Sequence, residues 1–169
     1  MDQPWGSGDL TVTLATEVLS ALKARGWRVA SAESCTGGMV MARLTDIAGS
    51  SAVVDRGFVT YSNAAKQQML GVSGETLKTF GAVSEEVARE MAVGALRHSD
   101  AQVAVAITGI AGPGGSEHKP EGRVCFAIAS ESTAPVSETV EFGALGRAKV
   151  RDAAAEKALT LLKNAATTA

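Results

Sequence analysis

Aromatic rings are scarce in this chain, making up 4% of its 169 residues, with Tyr61 the single tyrosine. A nucleic-acid surface needs a basic stripe, often with aromatics interleaved for stacking. The net charge is −2 and no block of like charge stands out, so no nucleic-acid partner is expected. Histidine and cysteine are nearly missing as well. His98, His118, Cys35 and Cys125 make neither a disulfide framework nor a metal-spaced set, and no zinc site is expected. No apolar run approaches the roughly 20 residues of a membrane span. The opening segment MDQPWGSGDL lacks the basic flank and apolar run of a signal peptide. These absences leave a small-molecule protein of the cytoplasm, without a membrane partner.

What is present is aliphatic: 46% of residues are hydrophobic, so the core must be built from Ala, Val, Leu, Ile and Met. The length suits one domain, expected over residues 10–165 after a flexible tail at 1–9. Leu14, Val18 and Leu22 recur every four residues, predicting an amphipathic helix that Gly26 ends. WRVASAE follows as a short buried strand, and TGGMVMARLTDIAGS as a helix with a turn at Gly49. AVVDRGFVTYS is rich in strand formers, with Gly57 as a bulge candidate. Two short helices, NAAKQQMLGV and SGETLKTFG, precede the clearest one, SEEVAREMAVGALRHSD. Ser84 can cap that helix, and Val87, Met91 and Ala95 share one face. AQVAVAITG is apolar throughout, as in a strand covered on both sides. RVCFAIAS and the alternating VSETVEF are two further strands, and a helix over 146–163 closes the chain. Helices interleaved with buried strands, then strands in succession, predict a three-layer α/β/α sandwich on a mixed, mostly parallel sheet.

In such sheets ligands bind beyond the carboxyl ends of the strands. Two Gly-rich loops leave strands there, ESCTGG at 33–38 and TGIAGPGGS at 108–116. Gly37 and Gly38 would let a ligand approach the backbone, and the helix start behind them favours an anion. The second loop offers more amides around Gly109 to Gly115. Ser34, Cys35 and Thr36 stand side by side as candidate nucleophiles, and each needs a base. His98 ends a helix and reads as solvent-facing. His118, in the second loop, could serve Cys35. Lysine is the other route: with Tyr61 at a strand end and Lys66 on the next helix, both can converge on one point. Glu33 either orients a substrate amide or caps the helix. Arg147 and Arg151, four apart on one helical face, either hold a phosphate or belong to a surface or a subunit contact.

Five motifs in order, AESCTGG, DIAGSS, RGFVTYSNAAK, GAVSEEVA and TGIAGPGG, closely resemble the CinA carboxyl-terminal domain family. The resemblance runs over about residues 10–165 and is nearest to its stand-alone nicotinamide-nucleotide amidohydrolases. It implies an α/β/α sandwich with five strands, a homodimer or higher homo-oligomer, and neither metal nor organic cofactor. The implied reaction converts nicotinamide mononucleotide to nicotinate mononucleotide and ammonia, within pyridine-nucleotide recycling. By the same resemblance Ser34, Tyr61 and Lys66 are the catalytic set. Where the family's last helix often opens with GDR, this chain has LGR, with Leu145 and Gly146 in place of an aspartate. Longer members carry an amino-terminal domain, whose activities are not transferred.

The resulting expectation is a serine amidase. Lys66 takes the Ser34 proton with Tyr61 bridging or orienting, and backbone amides of one Gly-rich loop stabilise the oxyanion. Glu33, Cys35, Thr36, Gly37, Gly38, Thr108, Gly109, Ile110, Ala111, Gly112, Arg147 and Arg151 are expected to bind the nucleotide substrate. Which loop takes the oxyanion and which the phosphate stays open. Three rivals stand beside this reading: a cysteine amidase using Cys35 and His118, a nucleotide-binding module without hydrolysis, and a DNA-linked role.

Overall fold

The protein is described by a computed structural model over residues 8–168. The tail expected at 1–9 lies outside the described residues for positions 1–7, while Gly8 and Asp9 already belong to the first helix. In chain order the elements are α1 (Gly8–Arg25), β1 (Val29–Glu33), α2 (Met39–Thr45), β2 (Val54–Val59), α3 (Asn63–Leu70), α4 (Gly74–Phe80) and α5 (Glu85–Arg97). Then come β3 (Val103–Gly109), β4 (Arg123–Ser130), β5 (Val136–Glu141) and α6 (Arg147–Thr167). One five-stranded sheet runs β2-β1-β3-β4-β5. The β2–β1 and β1–β3 ladders are parallel and the β3–β4 and β4–β5 ladders antiparallel, so four strands point one way.

The sequence alternates along the central strands in a way that builds two different faces. Val29, Val103, Val105, Ile107, Val124, Phe126 and Ile128 turn to the side covered by α1, α2 and α6. Ala30, Ala32, Ala104, Ala106, Ala127 and Ala129 turn to the side of α3, α4 and α5. Fully burying one of the larger side chains contributes roughly 1.5–3 kcal/mol. The alanine face gives less per residue and gains by close approach instead. α5 meets it with Ala88, Ala92 and Ala95, all fully buried. At Gly94 a Cβ would stand 2.0 Å from the Leu70 carbonyl oxygen, so only glycine lets α3 and α5 touch there.

Helix boundaries follow local chemistry. α1 ends before Gly26, whose φ is +70°, and its Val18 and Leu22 are buried as their spacing predicts. Ser62, Ser73 and Ser84 each accept a backbone hydrogen bond at the start of α3, α4 and α5. The β2 bulge falls at Asp55 rather than Gly57, since the register slips between Val29–Val54 and Ala30–Arg56. Gly57 serves packing: a Cβ there would lie 2.6 Å from Met41 Cγ. The helix expected after TGG is shorter than TGGMVMARLTDIAGS, ending at Thr45 before a 3-10 turn at Ser50–Ala52. α6 begins after Gly146, which offers no side-chain cap.

Candidate active site

β1 and β3 lie side by side, with Glu33 opposite Ile107, and their carboxyl ends open onto the two Gly-rich loops. The segments leaving β1 and β2 turn to opposite faces, toward α2 and α3, which opens a crevice at that edge. The crevice is a cavity of about 320 Å³, the size of a small-molecule site. Of the residues singled out in the sequence, it brings together Ser34, Cys35, Tyr61, Lys66, Thr108, Gly109, Ile110, Ala111, Gly112 and Arg147. Asn63, Val83 and Glu117 also line it and were not among the expected site residues, although Asn63 lies within RGFVTYSNAAK and Val83 within GAVSEEVA.

The α3 helix delivers Lys66 into the interior. Its side chain is 1% exposed, and Nζ lies 3.2 Å from Ser34 Oγ, 3.1 Å from the Thr60 carbonyl and 3.3 Å from that of Tyr61. Burial holds its pKa below the ordinary lysine value of 10.5, because an ammonium there loses its water. Ser34 sits on the turn after β1, held by its amide on the Ile107 carbonyl. The hydroxyls of Thr36 and Thr60, both fully buried, have no partner among the described residues.

Tyr61 does not stand between the lysine and the serine. Its hydroxyl, at the end of a 64% exposed side chain, accepts from Arg147 Nη2 at 3.0 Å. Arg147 also donates to the Gly112 carbonyl at 2.7 Å, so α6 is tied across the cavity mouth to both the tyrosine and the second loop.

Cys35 lines the cavity but is 6% exposed, and burial, the largest influence, pushes its thiol up to about 12. His118, expected as its partner in the rival reading, is exposed and does not line the cavity. His98 ends α5 exposed to solvent, its ring Nδ1 2.8 Å from the Gly94 carbonyl.

Five expected binding residues, Glu33, Thr36, Gly37, Gly38 and Arg151, do not line the cavity. Glu33 is 1% exposed, and its carboxylate accepts from the amides of Gly38, Val40 and Met41 and from the Ser31 hydroxyl. The α2 amino terminus therefore already holds its anion, supplied by the chain itself. With that site filled, Gly37 and Gly38 serve as turn residues at φ +59° and +106°. Arg151 donates to the carbonyls of Cys35 and Thr36 and braces the turn from behind. Thr36 is buried within that turn. The second loop is different: the amides of Ala111, Gly112, Gly114 and Gly115 have no acceptor among the described residues, and these residues line the cavity.

Comparison with known proteins identifies the family. The CinA C-terminal domain family matches residues 11–166. A nicotinamide-nucleotide amidohydrolase PncC from Escherichia coli K12 is 63% identical over 118 residues, 69% of this chain and 72% of that protein. Its counterpart from Enterobacter agglomerans is 60% identical over 119 residues, 70% and 73% of the two chains. A CinA-like protein from Syntrophobacter fumaroxidans is 54% identical over 83% of this chain but only 33% of its own length. Among solved structures, the competence/damage inducible protein CihA from Agrobacterium tumefaciens superposes with a TM-score of 0.89 at 49% identity, covering 94% of this chain and 96% of that one. With a shared sandwich, a shared motif order and identity at this level, the chain belongs to the CinA C-terminal domain family.

Proposed function

We propose that the cavity hydrolyses the carboxamide of nicotinamide mononucleotide to nicotinate mononucleotide and ammonia, a step of pyridine-nucleotide recycling. The single observation that carries the mechanism is the 3.2 Å approach of Lys66 Nζ to Ser34 Oγ inside a desolvated site. A neutral amine has two N–H bonds and one lone pair. The carbonyls of Thr60 and Tyr61 take the two N–H bonds, which leaves the lone pair for the Ser34 hydroxyl.

Lys66 takes the serine proton as Oγ bonds to the amide carbon. The amide of Cys35, next after the nucleophile, supplies a donor for the oxyanion. The protonated lysine passes its proton to the departing nitrogen, the C–N bond breaks, and ammonia leaves a serine ester. Water then attacks that ester, with Lys66 taking its proton and returning one to Ser34. The free amides of the 111–115 loop, with Arg147 at their edge, take the substrate phosphate. Tyr61 positions Arg147 in this scheme instead of relaying the serine proton.

No three His, Cys, Asp or Glu side chains are grouped to hold a metal among the described residues, and the scheme requires none. No helix among them is long and apolar enough to cross a membrane. Two buried free thiols, Cys35 and Cys125, accord with the reducing cytoplasm as the compartment. A homo-oligomer is part of the reading through the family resemblance.

Ammonia release from nicotinamide mononucleotide by the wild type and by a folded Ser34→Ala variant tests the proposal. Release by the first and loss in the second is the expected result. Equal release by both would remove the serine from the chemistry. No release by either would leave a binding module.

A further inference from the structure

Three charged side chains line the cavity: Lys66, Arg147 and Glu117. Lys66 and Arg147 have roles above; Glu117 has none. It is the sole carboxylate among the described lining residues, and its position is built into the fold. Glu117 and His118 occupy the two centre positions of a tight turn closed by the Ser116–Lys119 bridge, both at positive φ, +50° and +65°. Non-glycine residues rarely adopt that conformation and persist there when their surroundings hold them. Here Lys119 does so, donating through Nζ to the carbonyls of Phe80 and Val83 at 2.5 Å each. The Glu117 carboxylate is thereby kept beside Gly81, where a Cβ would come within 2.6 Å of Oε2. The cavity is therefore polarised, with Arg147 on its Tyr61–Gly112 rim and Glu117 on its Gly81–Val83 rim.

A polarised cavity suits a ligand that carries both signs. Nicotinamide mononucleotide does: its phosphate is anionic, and its pyridinium ring bears a full positive charge. Resting on the proposed function, we infer that Glu117 is the counter-ion of the pyridinium ring and makes the site select the oxidised mononucleotide over its 1,4-dihydro form. The dihydro ring is neutral and differs little in size, so charge is what separates the two. A carboxylate that served the ribose hydroxyls would treat both ligands alike. The Glu117 charge also acts on Lys66 across the cavity, favouring its charged form against the larger effect of burial.

The test is titration calorimetry of both mononucleotides, oxidised and 1,4-dihydro, into Ser34→Ala and into Ser34→Ala carrying Glu117→Gln or Glu117→Lys. An ion pair open to solvent is worth up to about 1 kcal/mol, so the oxidised-over-reduced affinity ratio should fall about fivefold in Glu117→Gln. It should fall further in Glu117→Lys. Equal weakening of both ligands by Glu117→Gln would overturn the inference in favour of hydroxyl recognition, and an unchanged ratio would overturn it outright. Failure of the underlying reading shows elsewhere, as absence of ammonia release by the wild type. Binding without such release, but with the ratio shift, would keep the counter-ion and discard the hydrolysis.

Discussion

Arg147 Nη2 reaches the Tyr61 hydroxyl at 3.0 Å while Lys66 reaches Ser34 with no tyrosine between them. In the proposed scheme the first contact positions and the second transfers a proton. Tyr61→Phe removes one hydrogen bond to a charged group, worth about 1.5–3 kcal/mol, and frees Arg147 from one of its two ties. The expected result is a KM for nicotinamide mononucleotide raised about tenfold or more with kcat changed much less. Steady-state kinetics decide this. A kcat collapse at unchanged KM would put the hydroxyl back into the proton path.

Lys66→Met should behave in the opposite manner. Removing a general base costs ~10²–10⁴ in kcat, while KM stays near the wild-type value. Because burial lowers the lysine pKa, the wild type gains activity as pH rises through that depressed value, below 10.5. Stability follows the same direction. Below the folded pKa the lysine is charged in both states and its desolvation penalty is fully present. The unfolded chain binds the extra proton between the two values, so the penalty fades as pH rises and is absent above 10.5. Melting temperatures of wild type and Lys66→Met across this range should converge toward alkaline pH. Parallel curves would mean that the lysine is not desolvated.

Cys35→Ala should retain ammonia release within a few-fold of wild type. With its thiol pushed up to about 12 by burial, Cys35 is almost wholly protonated at pH 8 and a poor nucleophile. Iodoacetamide at that pH should leave the native enzyme active. Inactivation by the reagent, prevented by Cys35→Ala, would restore the cysteine amidase.

Glu33→Gln separates a helix cap from a substrate ligand. One amide oxygen cannot replace two carboxylate oxygens that together accept from three backbone amides and the Ser31 hydroxyl. The change should cost about 2–3 kcal/mol of stability, read in a urea titration. The folded fraction should keep its KM. A raised KM at unchanged stability would mean that Glu33 touches the substrate.

The elements were legible where local spacing decides them. Val87, Met91 and Ala95 mark α5, and an unbroken apolar run marks β3, because burial on one face or on both leaves a period in the sequence. Ser34 and Lys66 were named from family motifs, yet their direct contact joins residues 32 apart, and no local pattern encodes it. Tyr61 was expected to bridge or to orient, and the contact of its hydroxyl with Arg147 could not be read locally, since it depends on α6, 86 positions away. Gly37 and Gly38 were assigned to the ligand because a free helix start attracts anions, and Arg151 because it shares a helical face with Arg147. The competing anion, Glu33, came from the same motif, with both of its readings open. Glu117 left no signal at all: a lone acidic residue in a polar loop looks like ordinary solvated surface until the tight turn brings it to the cavity.

The alanine face has a consequence for the chemistry some distance from it. Six methyl groups from three strands fix how closely α5 can lie on the sheet, and α3 rests on α5 through the bare backbone of Gly94. That stack sets how deep the α3 lysine sits and how little water reaches it. The depressed pKa of Lys66 is thus governed by the thinness of a layer that does not touch it, and thickening any one of its plies would lift the lysine out of its seat.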